Sequence, residues 1–201
     1  MVDQEVQDRN YTTAVVAGGK SSRMGVDKAF IPLLGQPIVE HVLDRVSGMG
    51  SEQLIVTNSP SKYRYLGLPL YSDIYKDHGP LGGLHSALAH ASGDHVLVVA
   101  CDMPWLNRSL LEYMVSLRAS ADVIVPRWSR FPEPLHAVYS RACLEPVTTS
   151  LTSGRLKLIS FYSQVRVRFL DRDELAQFDK TGRSFANINT PEDLREAREN
   201  K

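Results

Sequence analysis

A three-layer α/β fold with a mostly parallel central sheet is the architecture this 201-residue sequence predicts. Three observations lead there. Short β-branched apolar runs recur along the chain, segments of helical period separate them, and the glycines and acidic residues sit just beyond the runs.

The first run is Thr12 to Ala17, and it is followed by Leu54 to Thr57, His95 to Cys101 and Asp122 to Val125. Each is short, rich in valine and isoleucine, and reads as a parallel strand buried on both faces. Between them, Ile38, Val42, Leu43 and Val46 line one helical stripe before Gly48, and Leu84, Leu88 and Ala91 line a second before Gly93. Leu110, Met114 and Leu117 make a third. Right-handed crossovers then cover the sheet on both sides, and ligands are expected beyond the carboxyl ends of the strands. Arg127 to Pro134, with two prolines, reads as a loop, and Thr190-Pro191-Glu192-Asp193 reads as a helix start that continues to about Glu199. One domain over residues 1–201 is expected, with the polar stretch 1–10 flexible.

Composition narrows the function. Lys+Arg and Asp+Glu are equal at 23 each, so no global field favours nucleic acid, and any polyanion must be met locally. The start carries Asp3, Glu5 and Asp8 and lacks the basic and apolar regions of a signal peptide. No apolar stretch approaches the roughly 20 residues that cross a bilayer. Two cysteines, Cys101 and Cys143, give no framework of bridges, and a reducing cytoplasm fits. The six histidines show no i,i+4 pair and no cysteine partners at zinc spacing, which argues against a transition-metal site.

Five constellations remain. The first strand runs into Ala17-Gly18-Gly19-Lys20-Ser21-Ser22-Arg23-Met24-Gly25-Val26-Asp27-Lys28, where glycines admit a close ligand and three cations would neutralise a triphosphate. It is not a P-loop, because Ala14 stands where the earlier glycine belongs. Asp102, closing the third of those runs in Ala100-Cys101-Asp102-Met103-Pro104, is a candidate Mg²⁺ ligand. On position alone an Asx-type cap for the helix after Pro104 stands about even with that reading. His78-Gly79-Pro80-Leu81-Gly82-Gly83 leads into a helix expected at Leu84, and its small residues, Gly82 among them, would admit a base or ribose. Pro132 to Tyr139 and Asn187-Ile188-Asn189-Thr190-Pro191 are the last two, with Asn189 expected to face the same edge as Asp102 and Asn187 and Asn189 both candidate acceptor-binding residues. Arg155, in Gly154 to Lys157, is a candidate contact for an anionic acceptor.

Taken together, Val15 to Gly19, Arg23-Met24-Gly25, Asp27-Lys28, Gly79 to Gly83, Cys101 to Pro104, Glu133-Pro134-Leu135 and Asn187 to Pro191 resemble the molybdenum cofactor guanylyltransferases, within the nucleotidyltransferases. That resemblance implies a three-layer Rossmann-like nucleotidyltransferase fold. It implies GTP binding by Val16, Ala17, Gly18, Gly19 and Lys28, with further nucleotide contacts at Thr57, Asn58, Asp73, Gly82 and Asp102. Thr57 stands where the family commonly has asparagine, so Asn58 is the alternative there. The resemblance further implies catalytic roles for Arg23, Lys28 and Asp102, Mg²⁺ on Asp102, GTP and molybdopterin as substrates, and cofactor-delivery proteins or apo-molybdoenzymes as partners. The similar cytidylyltransferases tend to carry Ala-Ala-Gly and Asp-Ile-Asp-Thr-Pro, whereas this chain has Ala-Gly-Gly and Asn-Ile-Asn-Thr-Pro, which favours GMP transfer. A related transferase with another base or acceptor, a nucleotide-binding module without catalysis, and a nucleic-acid role for the local basic clusters remain as alternatives.

Overall fold

The computed structural model describes residues 10–18 and 27–199. Among these, seven strands form one sheet: β1 (Thr12–Val16), β4 (Glu52–Val56), β5 (Leu70–Tyr71), β6 (His95–Ala100), β7 (Val123–Arg127), β8 (His136–Ser140) and β9 (Val167–Asp171), in the order β5-β4-β1-β6-β8-β7-β9. A two-stranded ribbon, β2 (Pro32–Leu33) with β3 (Gln36–Pro37), stands apart. Every pairing among β5, β4, β1 and β6 is parallel, as is that of β7 with β9. Only β8 runs against its neighbours.

The strands alternate sides, as a period of two requires. Val15, Ile55, Leu97 and Ile124 pack on one face with Val39, Val42 and Val46 of α1 (Ile38–Val46) and with Leu110, Leu111 and Met114 of α4 (Arg108–Ser116). Ala14, Val16, Leu54, Val56 and Val98 pack on the other with Leu81, Leu84 and Leu88 of α3 (Gly79–His90) and with Val147 and Leu151 of α5 (Leu144–Thr152). Helices on both faces of a sheet give the three layers expected.

The structure departs from expectation at β5 and β9, which no apolar run announces, at β8 and at the start of α3. The segment after the Arg127 loop is a strand, β8, whose buried residues His136 to Tyr139 pair with β6 and β7. His136 and Ser140 bound a run of only three apolar residues, so it does not read as a buried strand. The helix expected at Leu84 starts earlier, at Gly79: Pro80 fits the first turn, and Gly82 and Gly83 are tolerated because the helix is buried from Leu81 to Leu88. At the chain's end, α7 (Pro191–Glu199) matches the expected helix, with Thr190 Oγ1 accepting from the Asp193 N–H at 3.1 Å.

Candidate functional site

The turns leaving β1, β4, β5 and β6 and the start of α3 enclose a cleft of about 550 Å³, lined among the described residues by Val16, Ala17, Gly18, Asp27, Lys28, Thr57, Asn58, Asp73, Gly83 and Asp102, among others. That size falls in the ~300–1,000 Å³ range of ligand pockets. Lys28 and Asp102, 74 positions apart in sequence, therefore share one cavity at the carboxyl edge of the sheet.

The walls follow from local chemistry. The β1 ladder continues one step past the strand, with the Ala17 N–H donating to the Val56 carbonyl at 2.8 Å and the Cys101 N–H to the Val16 carbonyl at 3.1 Å. This holds the first turn and the Asp102 turn side by side. Asn58 and Asp73 clasp each other: the Asn58 amide donates to Asp73 Oδ2 at 2.7 Å, and the Asp73 N–H donates to Asn58 Oδ1 at 3.0 Å. Burial raises the Asp73 pKa, and the Asn58 bond partly opposes that. Thr57 is buried, with its hydroxyl accepting from the Ser59 N–H at 3.2 Å, so Asn58 is the more exposed of the two at this turn.

Asp77 and Gly79, with φ of 60° and 62°, turn the chain into α3. His78 at the N-cap makes no side-chain cap bond there, so the helix presents unsatisfied N–H groups at the cleft. Gly83 rather than Gly82 lines the cavity, which corrects the sequence reading. A Cβ on Gly82 would meet the Tyr75 carbonyl at 2.7 Å, whereas one on Gly83 would press on Val16 Cγ1 at 2.8 Å. The earlier helix start rotates the two glycines relative to expectation.

Asp102 is half-buried, and burial pushes its carboxyl pKa up while the Lys28 ammonium pulls it down. It does not cap the following helix, because Asn107 does so by accepting from the Leu110 N–H at 3.1 Å. Lys28 Nζ donates to Asn189 Oδ1 at 2.7 Å, and the Ile188 N–H donates to the Asp102 carbonyl at 3.0 Å. Asn189 thus stands beside the two charged groups. Asn187 is exposed and does not line the cavity, and neither does Arg155, which is exposed on the turn after α5. Gly19 and Arg23 lie outside the described residues.

Sequence reasoning overlooked Asp27 and Asp77 as cleft groups. Asp27 accepts from the Ala29 N–H at 3.4 Å and pairs with Lys62 at 3.3 Å. Its place next to Lys28 was the available signal. The described lining therefore brings four carboxylates, Asp27, Asp73, Asp77 and Asp102, towards one ammonium, Lys28. Such an oxygen-rich set suits a hard divalent cation that arrives with substrate phosphates. Among the described residues no group of three or more His, Cys, Asp or Glu side chains is placed to hold an ion alone. Phosphate and water would then complete its coordination around Asp102.

Comparison with known proteins bears on the family and the fold. The MobA-like NTP transferase domain matches residues 13–167. A probable molybdenum cofactor guanylyltransferase of Carboxydothermus hydrogenoformans is 35% identical over 185 residues, 92% of this chain and 93% of the relative. A molybdenum cofactor guanylyltransferase of Desulfosudis oleivorans is also 35% identical, over 92% and 93% of the two chains. The crystal structure of molybdopterin-guanine dinucleotide biosynthesis protein A from Archaeoglobus fulgidus superposes with a TM-score of 0.82 at 30% identity, covering 94% of this chain and 97% of that one.

Proposed function

The chain belongs to the MobA-like NTP transferase domain family, and from that premise we propose that it transfers GMP from GTP to the terminal phosphate of molybdopterin in the cytoplasm. A phosphate oxygen of the acceptor attacks Pα of GTP, a new P–O–P bond forms, the bond from Pα to the oxygen bridging to Pβ breaks, and pyrophosphate leaves. A phosphate monoester, with a second pKa near ~6, is already largely dianionic at neutral pH. No general base is required, and the chain's task is to position two anions and stabilise charge.

The observation that carries this reading is the convergence of Lys28 and Asp102 on one cleft beside the Ala17-Gly18 turn. The Gly18 N–H of that turn and the N–H groups of the α3 start receive the nucleotide, the Ala17 N–H being held by the Val56 carbonyl. The Lys28 ammonium, steadied by Asn189, meets the α-phosphate, and Arg23 is assigned to the leaving phosphates. Asp102 would hold Mg²⁺, which when bound would offset the charge that builds on the departing oxygens. Asn58 and Asp73 remain assigned to the nucleoside because their mutual clasp presents a fixed polar edge to the cleft.

The test is incubation with Mg²⁺ and each of the four NTPs, with and without molybdopterin, following pyrophosphate and the dinucleotide product. Release with GTP that depends on molybdopterin is expected. Equal or faster release with CTP would assign cytidylyl transfer instead, and GTP binding without release would leave only a binding module. Lys28→Ala is expected to lower kcat by about 10²-fold, and an effect confined to KM would reduce Lys28 to uniform binding.

A further inference from the structure

Lys28 carries its ammonium on a flexible four-carbon stem, in a cleft that also holds the carboxylates of Asp27 and Asp102. Its hydrogen bond goes to a neutral amide, Asn189 Oδ1 at 2.7 Å. A neutral acceptor fixes the ammonium without cancelling its charge, which stays whole for the phosphates.

Asn189 in turn needs to be fixed, because residues 186–189 belong to no helix or strand. Two main-chain bonds hold this strip. The Ile188 N–H donates to the Asp102 carbonyl at 3.0 Å, and the Asn189 N–H donates to Asp193 Oδ2 at 2.8 Å. Asp193 Oδ2 also accepts from the Thr190 N–H at 2.8 Å, and the Asp193 N–H donates to Thr190 Oγ1. The two bonds with Thr190 make an ordinary reciprocal cap for α7. The bond with Asn189 reaches one residue further than such a cap requires, back to the residue that holds Lys28.

Asp193 has a firm footing. Ala197 of α7 joins the cluster of Ile31, Leu33, Ile38 and Ile188, Leu194 packs against it, and Arg198 donates to the Pro32 carbonyl at 2.8 Å. Ile31 and Leu33 follow closely on Lys28, so the helix and the lysine are anchored on one piece of chain. Burial alone would raise the Asp193 pKa, but the bonds from Asn189 and Thr190, with the Lys28 charge, outweigh it and keep the carboxyl below its ordinary value. The acceptor of both N–H bonds is therefore a carboxylate, which makes them the stronger, charge-assisted kind.

We propose that Asp193 is a positioning residue for the transfer: by holding Asn189 it keeps the Lys28 ammonium where the α-phosphate reacts. The proposal rests on the guanylyl-transfer reading above and deepens it.

Two readouts test it. At saturating GTP, Mg²⁺ and molybdopterin, Asp193→Ala is expected to lower kcat about tenfold, with the KM for GTP within about twofold of wild type. Asp193→Asn, whose amide oxygen can still accept, should recover most of the loss. In Asn189→Ala, which already lacks the contact to Lys28, adding Asp193→Ala should lower kcat no further. The second readout needs no turnover. Acylation of Lys28 by acetic anhydride, followed by mass spectrometry, requires its nitrogen to leave Asn189. Asp193→Ala is expected to speed it about fivefold, the worth of one ordinary hydrogen bond, and to leave it unchanged in the Asn189→Ala background. A kcat or a Lys28 acylation rate within about twofold of wild type in Asp193→Ala overturns the proposal. So does an equal further fall in kcat in the Asn189→Ala background, which would make Asp193 a helix cap alone. Absence of pyrophosphate release from the wild type would remove guanylyl transfer, and the acylation rates would still decide whether Asp193 places Lys28.

Discussion

The two halves of the sheet's carboxyl edge are built by different means. Along β5, β4, β1 and β6 all pairings are parallel, and the turns leaving the strands present backbone N–H groups with small or acidic side chains such as Gly18, Asn58, Asp73 and Asp102. Along β8, β7 and β9 an antiparallel strand intervenes, and the loops carry aromatic and guanidinium groups: Arg172 over Trp128 at 4.9 Å, Trp128 stacked with Phe185, and Arg183 over Trp105. Main-chain donors and carboxylates suit phosphates and a cation, while stacked rings and guanidinium groups fill space and hold loops together. On the proposed function the first half receives the nucleotide, while the rings of the second pack chiefly on one another and on guanidinium groups.

Asp102→Asn should break that division most visibly if it is wrong. It is expected to lower kcat by about 10²–10³-fold. Burial raises the Asp102 pKa, so its ionised form costs stability that is felt as pH rises through the folded value. The variant's Tm at pH 7 is therefore expected to equal or exceed that of the wild type. A clear fall in Tm with activity retained would make Asp102 a structural group.

The opposite behaviour is expected of His136, which is fully buried on β8 against Phe185 with neither ring nitrogen hydrogen-bonded among the described residues. Burial lowers its pKa to about 4, with the Asp179 charge and the Ser184 main chain offsetting part of the effect. The folded chain thus declines a proton that the unfolded chain takes up below its ordinary value of 6.5. Stability is complete above that value and falls as pH drops towards 4, by about 3 kcal/mol. Urea unfolding at pH 7 and pH 4.5 checks this, and His136→Leu should remove most of the difference between the two. An unchanged difference would acquit His136.

Gly82 and Gly83 sharpen the comparison within the nucleotide half. Gly82→Ala is expected to cost about 1–3 kcal/mol, because the added methyl meets the backbone carbonyl of Tyr75. Gly83→Ala should act mainly on the KM for GTP, since it narrows the cleft against Val16. Equal thermal shifts with no kinetic difference would mean the two positions are interchangeable. The smallest effect belongs to the rim: breaking the exposed Arg127–Asp171 pair, 2.7 Å apart, by Arg127→Ala should shift Tm the least of these changes, and less still in high salt.

What the sequence made legible was local. Asp102 comes just after the apolar strand His95–Ala100 and Lys28 closes a run of glycines and cations, so both stood out as candidates from their neighbours, while their roles came from the resemblance. β1, β4, β6 and β7 were legible because burial on both faces leaves continuous apolar runs, whereas the two-residue β5 and the half-exposed β9 leave none. β8 was not, since His136 to Ser140 is short and mixes polar with apolar residues. Gly82 was chosen over Gly83 because the choice depends on where the helix starts, and Pro80 permitted several starts. Asp77 was not legible because its place in the cleft comes from tertiary closure, whereas Asp27 could have been read from its place next to Lys28. Arg183 meets Trp105 only because β8, β7 and β9 bring residues 78 positions apart to one edge.

The central claim is spatial: one GTP spans the α3 start and the Lys28–Asp102 pair. A crystal structure with Mg²⁺ and a GTP analogue that cannot release pyrophosphate tests it directly. The account predicts the base against the Gly79–Gly83 segment, the α-phosphate at Lys28 Nζ and the ion on Asp102. A nucleotide bound with Lys28 and Asp102 both out of contact would contradict it.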